Sequence, residues 1–261
     1  MNLDRLKAIV VFDIDGVVRD VSNSYRRAIC DTVEKFTSGA FRPVMADIDR
    51  LKSEGIWNND WQASQELAYR YYESQGKTRA DYPIDYDAVI DFFQAKYRGQ
   101  NPEQFDGYIA SEPLLMSAVY LDTLTRNQIG WGFFSGATRG SAEYVLQQRL
   151  GLDSPVLIAM EDAPGKPDPT GLFLAVEQIS TVSLSVPIIY VGDTVADMQT
   201  ALKAKEQQPE IRFIGVGVLP PHVQTDAEIM QTYKARLEAS GAAVVFENVE
   251  QLDANAIASL V

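Results

Sequence analysis

The chain has 261 residues, 46 % of them apolar, enough for one large domain or for a core with a smaller companion. A formal net charge of −13 leaves no basic excess to displace counterions from nucleic acid, so a small anionic substrate would need a local cation, a metal or helix N-termini. No apolar run approaches the ~18 residues of a membrane span, and Met1-Asn2-Leu3-Asp4-Arg5-Leu6-Lys7 lacks the shape of a signal peptide, which makes the cytoplasm the expected compartment.

The first predicted element is a buried strand over Ile9-Val10-Val11-Phe12, running straight into Asp13-Ile14-Asp15-Gly16. Residues two apart on an extended chain line one face, so Asp13 and Asp15 can share a site, and Gly16 supplies the freedom to turn just after them. A helix over 23–37, with Ser22 or Asn23 as cap, carries Tyr25, Ile29, Val33 and Phe36 on one side. Cys30, the single cysteine, excludes an intramolecular disulfide framework and reads as a buried residue of that helix. Further helices are expected over 45–53, 62–74 and 85–97, with the polar and aromatic loop Trp57-Asn58-Asn59-Asp60-Trp61 among them. Residues 21–108 thus read as an inserted helical module between parts of an α/β core formed by 1–20 and 109–261.

The α/β pattern resumes with a helix over 114–128 and a strand over 129–134 that ends on Ser135-Gly136. A helix over 141–150, a strand over 156–160 and a helix over 170–178 follow. The strand over 186–191 ends on Gly192-Asp193, and a helix over 195–205 comes next. Strands over 212–218 and 242–246 flank a helix over 226–240. Strand and helix alternating at this spacing predict a parallel sheet covered on both faces. His222, the only histidine, falls in a Pro-rich loop and has no predicted catalytic part.

In such a sheet the carboxyl ends of the strands share one edge, so Asp13, Asp15, Ser135, the loop from Glu161 to Lys166, Asp193 and Asp197 can converge. Asp197 lies four residues after Asp193, in the first turn of a helix that tolerates negative charge there. Several carboxylates around one point repel unless a cation sits among them, and an oxygen-only donor set points to magnesium. Lys166 adds a second cation on a loop stiffened by Pro167 and Pro169.

With these motifs the chain resembles the haloacid dehalogenase superfamily, specifically its phosphoglycolate phosphatase-like members with a helical cap inserted after the first strand. The matching stretches are Asp13-Ile14-Asp15-Gly16-Val17, Ser135 after Phe133-Phe134, Lys166-Pro167-Asp168-Pro169, and Gly192-Asp193-Thr194-Val195-Ala196-Asp197. The resemblance implies a Rossmann-like core with a helical cap domain and a magnesium-dependent phosphomonoesterase of a small metabolite. It makes Asp13 the nucleophile and Asp15 the general acid and then base. Asp13, the backbone carbonyl of Asp15 and Asp193 would hold the metal, with Asp197 in support through water or Lys166. Ser135 and the Gly136 amide would bind phosphoryl oxygens while Lys166 balances their charge.

The second acid, Asp15, favours phosphoryl transfer over dehalogenation, because a departing halide needs no proton donor. Two positions depart from the family's common pattern: Val17 where threonine is frequent, and Gly136-Ala137-Thr138-Arg139 where asparagine often follows the serine. Arg139 reads equally as a substrate contact or a surface pair. Arg19, Trp57, Asn58, Asn59 and Trp61 are the candidates for selecting the ester, the tryptophans reading also as packing residues between helices. A sugar phosphomutase with the same intermediate, or a non-catalytic binder of a phosphorylated ligand, is the alternative. The expected partners are small molecules rather than nucleic acid or membrane, with the chain a monomer or homodimer.

Overall fold

The computed structural model describes residues 6–57, 59–101, 105–180 and 186–261. The chain divides into two compact units, one of residues 1–20 and 113–261, the other of residues 21–112. The first unit is built on a six-stranded parallel sheet: β1 (Ala8–Phe12), β2 (Ile129–Phe134), β3 (Leu157–Ile158), β4 (Ile188–Gly192), β5 (Phe213–Val218) and β6 (Ala242–Phe246). Their order across the sheet is β3-β2-β1-β4-β5-β6. This is the parallel α/β sheet expected from the strand and helix alternation, and the Rossmann-like core that the family resemblance implies.

β1 is central, pairing with β2 along one side and β4 along the other, with Phe12 opposite both Phe133 and Val191. All five of its residues are buried, which is why its sequence holds no polar residue until Asp13. Ile9 and Val11 point into a core formed with Leu172, Ala175, Val176 and Ile179 of α7 (Thr170–Ile179) and Ala201 and Ala204 of α8 (Val195–Gln207). On the other face Phe12 meets Tyr120 of α5 (Ala118–Arg126) edge to face. Both faces of the sheet are therefore covered, and its chemistry is confined to the strand ends. α9 (Ala227–Ala239) packs Leu237 with Met198 of α8 and Val245 of β6. Among the described residues, no helix is long and apolar enough to cross a membrane.

The second unit contains α1 (Tyr25–Phe36), α2 (Met45–Lys52), α3 (Asp60–Ser74) and α4 (Tyr86–Tyr97), with a 3-10 turn over Tyr108–Ser111, and no strand among its described residues. Its helices are tied by Tyr72, whose hydroxyl donates to the Phe36 carbonyl at 3.0 Å, and by an edge-to-face contact of Phe36 with Phe92. Cys30 is buried on α1, its thiol donating to the Pro43 carbonyl at 3.1 Å.

Several element ends differ from the sequence reading. α1 begins after Ser24, which makes no side-chain cap bond, rather than after Ser22 or Asn23. α5 begins at Ala118 and not at Leu114, because Leu114 is paired with Arg19 in an antiparallel bridge and the Ser117 hydroxyl caps the helix. β3 has two residues instead of five, being an edge strand joined only to the end of β2. The helix expected over 141–150 starts earlier, as α6 (Arg139–Glu143), and continues as a π-helical stretch over Tyr144–Arg149. A last helix, α10 (Ala254–Leu260), is absent from the sequence reading, although Asp253 caps it through two backbone amides.

Candidate active site

Asp13 follows β1, Ser135 follows β2 and Asp193 follows β4, three neighbouring strands, so their side chains come to one edge of the sheet. The Asp13 amide still donates to the Val191 carbonyl at 2.8 Å, which extends the β1–β4 ladder and fixes the residue beside Asp193. One oxygen each from Asp13, Asp193 and Asp197 lie within 4.8 Å of one another, and all three residues are largely buried. Two glycines make room for this crowding. A Cβ on Gly16, whose φ is +76°, would fall 2.1 Å from Asp193 Oδ2, and one on Gly192 would fall 2.2 Å from Asp197 Cβ. Replacing Gly16 with alanine adds left-handed strain to that clash. We expect a loss of ~1–3 kcal/mol in urea-unfolding stability. An unchanged midpoint would show that the turn does not need glycine.

Lys166 reaches this cluster from the loop beyond β3. Its ammonium lies 2.8 Å from Asp13 Oδ1 and 2.7 Å from Asp197 Oδ1, and passes over the rings of Phe134 and Tyr190 at 5.3 and 5.5 Å. Burial works against that ammonium, but Asp13 and Asp197 outweigh it and hold its pKa above the ordinary lysine value. Asp197 is anchored by every oxygen it has. Oδ1 accepts from Lys166 and, at 3.0 Å, from the Tyr190 hydroxyl; Oδ2 accepts from the Thr194 amide at 3.0 Å and its hydroxyl at 2.5 Å. Asp197 thus positions the lysine, while Asp13 and Asp193 keep oxygens for a ligand.

Three buried carboxylates against one ammonium leave an excess of negative charge. Burial drives the Asp13 carboxyl up from 3.8 to about 7, opposed by Lys166 and reinforced by Asp197 and Asp15. Asp193 is raised too, by burial first and then by Asp197 and Asp13. An all-oxygen donor set with surplus charge fits a hard divalent cation. Without one, the folded protein holds a proton that the unfolded chain releases at the ordinary carboxylate value. The stability contributed by that proton is complete below pH about 4 and is lost as pH rises through about 7. The loss is on the order of 4 kcal/mol, shared by the cluster as a whole. Unfolding midpoints measured in chelator from pH 4 to 8 should fall with pH more steeply for the wild type than for Asp13→Asn. Parallel curves would remove the cluster as the cause.

Asp15 stands apart from this group. Its carboxylate is bound by Arg19, with Nε at 2.7 Å and Nη2 at 2.6 Å from the same Oδ1. Ser135 is buried, and its Oγ accepts the Ala137 amide at 3.1 Å, which leaves the hydroxyl proton free to donate elsewhere. Gly136 is exposed, with open space where a side chain would stand.

The candidates for choosing the ester are placed less favourably. Arg19 is fully buried and engaged with Asp15, so it is not an open substrate contact. Arg139 pairs with Glu143 and Asp162, the surface alternative of the two readings. Asn59 is the N-cap of α3, its Oδ1 accepting from the Trp61 and Gln62 amides, and Trp57 Nε1 donates to Glu54. Trp61 is half-buried in the first turn of α3, and Asn58 lies outside the described residues. Two site residues escaped the sequence reading. Tyr190 had a signal, a lone hydroxyl in an aliphatic buried strand that must find a partner. Thr194 had one as well, its capping-box spacing to Asp197.

The site is thus an aspartate after the central strand of a parallel α/β sheet with a buried lysine beside it. A family model described as haloacid dehalogenase-like hydrolase matches residues 7–205, and the chain belongs to that family. Imidazoleglycerol-phosphate dehydratase from Phytophthora nicotianae is 32% identical over 241 residues, 90% of this chain and 49% of that protein. The chain therefore spans about half the length of this curated relative. Among solved structures, a phosphonoacetaldehyde hydrolase-like protein from Oleispira antarctica superposes with a TM-score of 0.67 at 18% identity, covering 98% of this chain and 92% of that one. A hydrolase from Pseudomonas syringae gives 0.62 at 20% identity over 98% and 100%. At these identities the likeness is one of fold.

Proposed function

We propose that the protein is a magnesium-dependent phosphomonoesterase that cleaves a small phosphorylated metabolite through an aspartyl phosphate on Asp13. The observation that carries this reading is the buried Lys166 ammonium set between Asp13 and Asp197, with Asp15 presented two residues beyond Asp13 on a separate partner. One carboxylate is thereby masked for attack on an anion, and another is kept apart for proton transfer.

Asp13 attacks phosphorus, and the ester oxygen leaves with a proton from Asp15. Water then attacks the phosphoryl group, gives its proton to Asp15 and releases Asp13. The Ser135 hydroxyl and the Gly136 amide bind phosphoryl oxygens, and Lys166 offsets their charge. Magnesium, held by Asp13, Asp193 and the Asp15 carbonyl, supplies further charge neutralisation and alignment when bound. These residues address only the phosphoryl group and the leaving oxygen.

The test is phosphate release from glycolate, glycerol and sugar phosphates, with magnesium and with EDTA. Imidazoleglycerol phosphate joins them, as the compound in the curated relative's name. Release from one or a few esters, lost in EDTA, is expected. Sugar-phosphate isomer exchange without free phosphate would replace hydrolysis by the mutase reaction, and binding without turnover would replace both.

A further inference from the structure

Arg19 is the largest fully buried side chain among the described residues. A buried guanidinium is costly unless it is held by a carboxylate, and Asp15 supplies one. The backbone fixes the pair from both sides. The Gly16 amide donates to the Arg19 carbonyl at 2.9 Å and the Arg19 amide to the Ile14 carbonyl at 3.2 Å, closing a turn that sets residues 15 and 19 opposite each other. Arg19 is bridged in turn to Leu114, flanked by bonds from the Asp20 amide to Pro113 and from the Leu115 amide to Val18. The Arg19 backbone cannot shift without breaking these bonds.

Two of its three nitrogens, Nη2 and Nε, bind Oδ1 of Asp15, at 2.6 and 2.7 Å, while the Asp15 side chain remains 28% exposed. We propose that Arg19 is the positioning residue that reserves Asp15 Oδ2 for proton exchange, an inference that rests on the phosphatase reading above. In the first step the Oδ2 proton goes to the leaving oxygen, and the carboxylate that remains stays paired to Arg19. In the second step Oδ2 takes a proton from the attacking water. Two donors on one rigid plane converge on Oδ1 and hold it through two hydrogen bonds, a geometry that the single flexible ammonium of a lysine does not reproduce.

The experiment compares kcat/KM, which reports events up to departure of the leaving group, for an alkyl phosphate and for p-nitrophenyl phosphate. The alkoxide needs a proton to leave; the nitrophenolate does not. Asp15→Asn should lose ~10²–10⁴-fold on the alkyl ester and far less on the aryl one. Arg19→Met should show the same selectivity, with at least ~10-fold more loss on the alkyl ester, and should add nothing in the Asp15→Asn background. Arg19→Lys should not restore the alkyl activity. Should Arg19→Met fail to fold, Arg19→Lys carries the same comparison. Equal losses on both esters, recovery by lysine, or additive losses in the double variant would overturn the proposal. A wild type that cleaves neither ester would overturn the phosphatase reading, and this proposal with it.

Discussion

Asp13→Asn is expected to abolish phosphate release from every ester the wild type cleaves, with the fold intact. An amide of the same shape cannot attack phosphorus, and removal of the nucleophile of a hydrolase costs on the order of 10⁶-fold in kcat. The structure predicts an unusual companion result. The asparagine removes one of three crowded carboxylates yet leaves Lys166 its partner Asp197 at 2.7 Å. No buried ammonium is stranded, so at neutral pH in chelator the variant should melt at or above the wild-type temperature. Acid-quenched wild type mixed with substrate should carry phosphoryl mass on the peptide holding Asp13, and the variant none. Phosphate release within ten-fold of the wild type would end the nucleophile assignment.

The positions of the acids were legible because burial on both faces of β1 and β4 leaves polar residues nowhere to go but the strand ends. An unbroken apolar run that stops on Asp13, and another that stops on Gly192-Asp193, carry that information locally. Pairings that depend on how a turn closes were not legible. Arg19 read as a candidate for the substrate because nothing in the sequence shows the turn over Gly16 bringing it back to Asp15. Leu114 read as helical for a related reason, since its bridge to Arg19 spans a separation of 95 residues. Asn59 illustrates the opposite case. Its signal was local, an asparagine just before an amphipathic stretch, and capping explains it without any ligand.

Lys166→Met should separate stability from chemistry at the same point. The methionine fills much of the lysine's stem volume against Phe134 and Tyr190, so packing changes little. What disappears is the cation 2.8 Å from Asp13 and 2.7 Å from Asp197, and breaking a buried pair from one side costs ~3–5 kcal/mol. Unlike a cavity, this loss depends on pH. Asp13 already sits near 7 with the lysine in place, and without it the carboxyl rises further. The variant should therefore lose stability at neutral pH and recover much of it by about pH 5, where the cluster takes up protons. Activity should fall by ~10²–10³-fold, the scale of a lost electrostatic contact to a transferring group. A divalent cation, held as proposed by Asp13 and Asp193, should raise the variant's melting temperature more than the wild type's. A loss of stability equal at pH 5 and pH 7.5 would instead place Lys166 among packing residues and leave the charge of the site to be balanced elsewhere.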